Sequence, residues 1–173
     1  AGADVTRFAA CHNFYPKPYT GLSLEDVART NLRLAALGFE IMAFVPGDTN
    51  VRGPVFEGLP TVEAQRGRAS KVALNMLELA HGADCDIVLV GDPDLSDAGW
   101  AQFAQVSAGY VDVHCELEPG YDYLRGQIHH DRPDSSVHIF RSQESRTSLK
   151  PDAVPSDFGA GLPRNAGSIA VGN

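Results

Sequence analysis

The chain has 173 residues, 43% of them hydrophobic, and a formal net charge of -8 at pH 7. This acidic balance argues against a nucleic-acid partner, because a surface that binds nucleic acid needs a basic face. No apolar run of the sequence approaches the length needed to span a bilayer, so we expect no membrane partner.

The first predicted element is a strand at Val5–Cys11, and it leads into the segment Cys11–Ser23, CHNFYPKPYTGLS. This segment is dense in hydrogen-bonding and aromatic side chains, and its two prolines stiffen it by fixing φ. A plain connection needs neither this length nor this chemistry. The segment is typical of a binding surface at the carboxyl end of a strand.

Three strand–helix units follow one another along the chain. The first helix is predicted to begin after the N-cap residue Ser23 and to end at Gly38. The second strand is Phe39–Val45, which is apolar on both faces and therefore suits a sheet covered by helices. A polar loop, Pro46–Arg68, separates it from a second helix at Ser70–Ala80.

The third strand is predicted at Asp86–Val90, and Ser96 is the predicted N-cap of the helix that follows. This repetition predicts an α/β chain with a parallel sheet and right-handed crossovers. The sheet is either doubly wound or part of a (β/α) barrel. No glycine-rich phosphate-binding motif follows any of the strands, so we expect no nucleotide cofactor.

The pattern changes after Gly109, and a domain boundary is predicted near Gly109–Gly120. Beyond it the sequence predicts an incomplete all-β part with strands at Tyr110–Leu117, Val137–Arg141 and Ser168–Val171. The chain begins without Met in the middle of a pattern, which predicts a piece of a longer protein. Three widely spaced cysteines, Cys11, Cys85 and Cys115, predict buried free thiols in a reducing compartment.

Four segments, CHNFYPKPYTGLS, MAFVPGD, EGLPTVE and VLVGD, resemble in that order the family of outer-surface-protein-like barrels. That family includes the 6-phospho-N-acetylmuramidases of bacterial cell-wall recycling. The later segment HHDRPDSSVHIFRSQESR is similar to the start of that family's small C-terminal β domain, which is cyclophilin-like. Two positions depart from the family pattern: Gln65 stands where relatives commonly have His, and Asp92 stands where Asn is expected.

The resemblance implies the C-terminal three βα units of a (β/α)8 barrel over residues 1–112 and part of the β domain over residues 113–173. It also implies a cytoplasmic glycoside hydrolase that acts on a 6-phosphorylated sugar containing N-acetylmuramic acid, without cofactor or metal. Two alternatives stay open. One is a non-catalytic phosphosugar-binding protein, and the other is an inactive fragment, since three βα units cannot close a barrel.

Glycoside hydrolysis usually uses two carboxyl groups, and barrel active sites lie at the carboxyl ends of the strands. Glu63, in the loop after the second strand, and Asp92, after the third strand, are the candidate acid/base pair. Asp48 directly follows the second strand. Alternatively, Glu63 caps the following helix and Asp92 is a turn residue before Pro93. The catalytic carboxylates of such an enzyme could also lie in barrel units outside this chain.

Candidate substrate contacts come from two parts of the chain. His12, Asn13 and Thr20 offer hydrogen bonds to a sugar, and Tyr15 and Tyr19 offer flat faces to its ring. A guanidinium clamp for the phosphate is predicted from three arginines, Arg132, Arg141 and Arg146. The alternatives are that the loop residues fix their own backbone and that the arginines are scattered surface charges.

Overall fold

The chain has a parallel three-stranded sheet formed by β1 (Ala9–Cys11), β2 (Glu40–Val45) and β3 (Ile87–Val90) in the order β1-β2-β3. Both neighbouring pairs are parallel, and Ala43 of β2 lies beside Val88 of β3. The parallel pairing predicted from the strand–helix repeat is therefore confirmed. The same repeat places the carboxyl ends of all three strands at one edge of the sheet.

This computed structural model describes residues 4–117, 119–136, 138–146 and 167–169. The chain divides into two units, Ala1–Val113 and His114–Asn173, and each is described by itself. Their identification as a partial barrel and a partial β domain stays a prediction. In the described ranges, no helix combines the length and the apolar character that a membrane crossing needs.

The described part of the first unit contains four α-helices: α1 (Leu24–Ala36), α2 (Glu63–Arg66), α3 (Val72–Leu77) and α4 (Asp97–Ser107). Both predicted N-caps are confirmed, since the Ser23 hydroxyl accepts from the Asp26 amide and the Ser96 hydroxyl accepts from the Gly99 amide. A π-helical turn, Glu78–Gly82, continues α3, so the second predicted helix is split into two forms.

The core of the first unit lies between the helices and one face of the sheet. Ile41, Ala43 and Val45 alternate along β2 and are buried against helix residues that include Val27 and Leu79. Their neighbours on the opposite face of β2 are only half-buried. This alternation shows that β2 is apolar on both faces while one face carries the tightly packed core.

The first strand is shorter than predicted, since β1 covers Ala9–Cys11 and not Val5–Cys11. Val5–Arg7 form a 3-10 turn instead, because the carboxylate of Asp4 accepts a hydrogen bond from the Thr6 amide at 3.2 Å and caps it. The strand begins only at Ala9. A local side-chain cap has therefore outcompeted an apolar strand pattern.

The strand predicted at Tyr110–Leu117 is wrong. The Tyr110 amide donates to the Gln105 carbonyl oxygen at 3.1 Å, and the Asp112 amide donates to the Gln105 side chain at 3.3 Å. The end of α4 thus uses backbone donors that a strand would need for its ladder.

The second unit has no strand in the part of it that the structure describes. It has two isolated bridges, Asp131–Ser142 and Ser136–Ile139, with 3-10 turns at Asp122–Leu124 and Glu144–Arg146. The strand predicted at Val137–Arg141 is therefore reduced to the bridge at Ile139, and Val137 lies outside the described residues. Of the strand predicted at Ser168–Val171, residues 168 and 169 are not in a strand and residues 170 and 171 are not described.

The three cysteines are free thiols in different surroundings. Cys85 is buried as predicted, and burial raises the pKa of its thiol to about 11. Cys11 is exposed and Cys115 is half-buried, so the prediction of buried thiols is wrong for Cys11.

The closest backbone approach at the end of β3 gives a first testable prediction. A Cβ atom at Gly91 would lie 2.2 Å from the Leu59 carbonyl oxygen, so Gly91→Ala must push two backbone segments apart. We expect it to lower the free energy of unfolding by about 2 kcal/mol or more. The control is Gly67→Ala, where nothing lies within 4 Å and φ is -72°, so the change should stay within about 1 kcal/mol. Chemical denaturation of both variants checks this, and equal losses would contradict it.

Candidate functional site

The residues that directly follow the three strands share one edge of the sheet, which we call the strand-end rim. It comprises His12, Asn13, Gly47, Asp48 and Asp92. The parallel ladder continues into it, since the His12 amide donates to the Met42 carbonyl oxygen at 2.9 Å. The rim is therefore fixed by the same hydrogen bonds that hold the sheet.

Thr61 joins the long loop after β2 to the rim, and the sequence analysis did not single it out. Its buried hydroxyl accepts from the Phe44 amide at 3.0 Å and donates to the Asn13 carbonyl oxygen at 3.0 Å. The Tyr15 amide also donates to the Pro60 carbonyl oxygen at 3.0 Å. These bonds bring the segment that leads to Glu63 against the segment that follows β1.

The carboxylate of Glu63 accepts four hydrogen bonds. The Tyr19 amide donates to Oε1 at 2.9 Å and the Gly21 amide donates to Oε2 at 2.8 Å. The Arg66 guanidinium supplies the other two, at 2.8 Å to Oε1 and 3.0 Å to Oε2. Because a carboxylate offers about four acceptor positions, the hydrogen-bonding capacity of Glu63 is filled by the protein itself.

Arg66 is the second partner in this arrangement, and its side chain is only 10% exposed. Besides Glu63, the guanidinium donates at 2.8–3.2 Å to the carbonyl oxygens of Tyr15, Lys17, Glu57 and Gly58. It therefore ties two loops to the helix that carries it. The spacing of Glu63 and Arg66, three residues apart on α2, is the sequence signal that predicts such an ion pair.

The pKa of Glu63 is lowered from 4.5 to about 2. The hydrogen bond from the Arg66 side chain is the main cause, and the amides of Tyr19 and Gly21 add to it against the opposing effect of partial burial. Glu63 is thus ionised throughout the neutral range and carries no proton to donate there.

Asp92 is 6% exposed and holds the opposite side of the rim together. Its Oδ2 accepts from the Gly47 amide at 2.8 Å and the Leu59 amide at 3.0 Å, and its Oδ1 accepts from the Arg52 amide at 2.9 Å. Asp92 therefore fastens the loop after β2 from the end of β3.

Asp48, the carboxylate that follows β2, has a similar task. It accepts from the Ser96 amide at 2.7 Å and from the Ser96 hydroxyl at 2.6 Å. Since Ser96 is the N-cap of α4, Asp48 anchors the start of that helix. Asp48, Asp92 and Glu63 thus each accept hydrogen bonds from loop or helix-cap residues.

The side chains of the candidate sugar contacts differ in how far other residues already hold them by hydrogen bonds. The His12 ring contacts the buried Asn31 side chain at 2.6 Å, whereas Asn13 is exposed and its side chain accepts from the Phe14 amide. The Thr20 hydroxyl donates to the Lys17 carbonyl oxygen at 2.6 Å. Asn31 is a further residue that the sequence analysis missed.

The two tyrosines of the loop lie in opposite surroundings. Tyr15 is half-buried, while Tyr19 is 94% exposed and has a φ of 65°. Non-glycine residues rarely adopt this left-handed backbone, and here the Tyr19 amide is held by Glu63. An exposed aromatic ring on a constrained backbone offers a flat surface to a ligand.

The candidate arginines lie in the second unit. Arg132 pairs with Asp134, and Arg141 lies 3.6 Å from the same carboxylate. Arg132 lines an open pocket of about 360 Å³ together with Pro133, Asp134 and Gln143. The side chain of Arg146 lies outside the described residues.

The two adjacent histidines have separate partners, since His129 contacts the Ser142 hydroxyl and His130 contacts Glu144. Within the described ranges, no group of three potential metal ligands occurs.

The structure therefore links His12, Asn13, Tyr15, Tyr19, Thr20 and Glu63 through a short chain of hydrogen bonds and shared segments. Asp92 joins the rim through Gly47, on the other side of β2 from the end of β1. The roles of all these residues in catalysis or binding stay predictions.

Comparison with known proteins finds a family model described as 6-phospho-N-acetylmuramidase, N-terminal, which matches residues 1–105. A solved structure of a conserved Enterococcus faecalis protein of unknown function has 38% sequence identity and a TM-score of 0.51 over 58% of this chain. This chain spans 30% of that protein's length. An uncharacterised B. cereus structure has 27% identity and a TM-score of 0.49 over 58% of this chain and 29% of its own. None of the curated proteins matches the chain.

The contacts of Glu63 predict a loss of stability in Glu63→Gln at neutral pH. The neutral amide weakens the bonds from Arg66 and from both backbone amides, so we expect a loss of about 1–3 kcal/mol in the free energy of unfolding. Glu57→Gln is the matched control, since it makes the same charge change at an exposed side chain in the loop that leads to α2. It should change stability by less than about 0.5 kcal/mol.

The pH dependence of the same pair checks the cause. Because the pKa of Glu63 is lower in the folded state than in the unfolded state, its ionised form stabilises the fold at pH values above the unfolded-state pKa. This stabilisation is lost as the pH falls from 4.5 towards 2. The stability difference between the wild type and Glu63→Gln should therefore shrink over this range. Urea denaturation at several pH values measures it, and a constant difference would contradict the ionic origin of the effect.

Proposed function

The chain belongs to the family of 6-phospho-N-acetylmuramidase N-terminal domains, and on this premise we propose that it is part of a glycoside hydrolase. The proposed substrate is a 6-phosphorylated sugar containing N-acetylmuramic acid, in cell-wall recycling in the cytoplasm. The observation that carries the proposal is the family match over residues 1–105, which includes the whole strand-end rim. The barrel architecture and the cyclophilin-like identity of the second unit are part of the same proposal.

The exposed part of the loop after β1 is the proposed sugar-binding surface. Tyr19 offers its ring, while His12, Asn13 and Thr20 offer polar groups on the same segment. Tyr15, which is half-buried, is the second proposed ring contact. A sugar needs a flat apolar face flanked by hydrogen-bonding groups, and this segment supplies both.

We place Glu63 in this site as an ionised carboxylate that positions the loop. Its four acceptor positions are occupied, and its pKa of about 2 makes it unsuited to donate a proton at neutral pH. Asp92, buried beneath three amide donors, has the corresponding position on the other side of the rim. Proton transfer by this pair is the alternative, and it requires that substrate displace some of these bonds.

Turnover by the full-length protein separates the two roles of Glu63. With a 6-phospho-muramyl glycoside as substrate, a positioning role predicts that Glu63→Gln raises KM and lowers kcat by less than about tenfold. The control Glu57→Gln should match the wild type in both constants. A loss of about 10²–10⁴ in kcat with KM unchanged would instead assign proton transfer to Glu63.

The arginines of the second unit are the proposed phosphate contacts. Arg132, whose side chain is 13% exposed, and Arg141 share the carboxylate of Asp134, so their charge is partly neutralised. A sugar phosphate would compete with Asp134 for these guanidinium groups. Arg146 belongs to the same proposal through its place in the sequence.

This competition predicts the effect of removing the carboxylate. Asp134→Asn frees both guanidinium groups, so we expect the Kd for inorganic phosphate to fall several-fold. This corresponds to a binding free energy that is more favourable by roughly 0.5–1 kcal/mol. Asp122→Asn is the control, because Asp122 pairs with Arg125 in the same unit. Calorimetric titration measures both, and an equal effect of the two variants would contradict a specific phosphate site.

A non-catalytic phosphosugar-binding protein is the second candidate. The hydrogen bonds of Glu63 and Asp92 favour this candidate, since backbone amides of the described residues donate to both carboxylates. Binding of the phosphosugar by the full-length protein without any turnover would select this candidate.

A further inference from the structure

The side chain of Asn31 has only one orientation that its surroundings allow. It is 1% exposed, and one of its terminal atoms lies 2.6 Å from the Ala83 carbonyl oxygen. A carbonyl oxygen only accepts, so the atom of Asn31 that faces it must be the amide nitrogen. The same nitrogen lies 3.3 Å from the Cys85 sulfur.

This orientation leaves the Asn31 oxygen facing His12. The distance from Oδ1 to the His12 Nε2 is 2.6 Å, and an amide oxygen requires a donor at that distance. The Nε2 atom of His12 therefore carries a hydrogen. In a neutral imidazole the other nitrogen, Nδ1, must then be the acceptor.

The Nδ1 atom of His12 has no hydrogen-bond partner in the described residues. It is also not one of the side-chain nitrogen and oxygen atoms that are buried there without a partner. His12 itself is half-buried and directly follows β1 on the strand-end rim. Solvent therefore reaches the one nitrogen of this ring that is able to accept a hydrogen bond.

We propose that Asn31 is a positioning residue that fixes His12 as the Nε2–H tautomer, so that Nδ1 accepts a hydrogen bond from a ligand at the rim. The ligand group is an N–H or O–H donor, such as the amide of an acetamido group or a sugar hydroxyl. This last step rests on the proposed function, whereas the tautomer rests on the contacts of Asn31 alone. His12 is the residue that touches the ligand, and Asn31 acts through it.

The tautomer is tested by nitrogen NMR of the ¹⁵N-labelled chain at about pH 8, where imidazole is ordinarily neutral. Two-bond proton–nitrogen correlations distinguish a protonated ring nitrogen from an unprotonated one, and His12→Gln identifies the His12 signals by their loss. We expect a protonated Nε2 and an unprotonated Nδ1. A protonated Nδ1 in the wild type would overturn the proposal without any variant or ligand.

The role of Asn31 is tested by Asn31→Leu against Asn75→Leu. Both residues are buried asparagines on helices of the first unit, but the Asn75 side chain donates to the Arg68 carbonyl oxygen and makes no hydrogen bond with His12. Asn31→Leu should convert the single His12 tautomer into a mixture, and Asn75→Leu should leave it unchanged. A His12 spectrum that is unaltered by Asn31→Leu, or equally altered by both, would show that Asn31 does not set the tautomer.

The ligand contact is tested by adding N-acetylmuramic acid 6-phosphate to the labelled chain. We expect the His12 Nδ1 signal to shift together with the amide signals of the loop after β1. Loop signals that shift while Nδ1 stays unchanged would overturn the contact and leave the proposed function standing. An absence of binding, with the expected tautomer present, would overturn the contact and also count against the proposed function.

Discussion

The pairing of Glu63 with Arg66 is the interaction on which the candidate site depends. The carboxylate holds the amides of Tyr19 and Gly21, and the guanidinium holds four carbonyl oxygens of the same and a neighbouring loop. Together they satisfy backbone groups that irregular loops would otherwise leave to water. The charge-assisted bonds are stronger than neutral ones, so this ion pair adds to the Thr61 and Pro60 contacts that hold the loop after β1.

The same device recurs along the strand-end rim. Asp92 holds three amides around the loop after β2, and Asp48 holds the N-cap of α4. Some of the negative charge of this acidic chain therefore has a structural role, because carboxylates at the rim hold loop amides and a helix N-cap. This arrangement also has a structural consequence, because a carboxylate whose oxygens are held by several donors is a rigid support for the loops around it.

Much of the fold follows from local rules that the sequence displays. Apolar strands alternating with capped helices predicted the parallel sheet, and Ser23 and Ser96 cap where serine is expected. The strand wrongly predicted at Tyr110–Leu117 shows the limit of such rules, since the amides of Tyr110 and Asp112 donate to Gln105 instead of to a neighbouring strand. The site was harder to predict, because Glu63 reaches amides 42 and 44 residues away in the sequence. Contacts of this kind leave no periodic signal, and only the Glu63–Arg66 spacing hints at them.

The titration of Glu63 is the most direct test of this account. The amide protons of Tyr19 and Gly21 donate to its carboxylate, so their NMR chemical shifts follow its protonation. We expect both signals to stay unchanged from neutral pH down to about pH 3 and to move together with a midpoint of about 2. A common midpoint near the ordinary value of 4.5 would show that Glu63 is a free carboxylate and that the loop is held in another way.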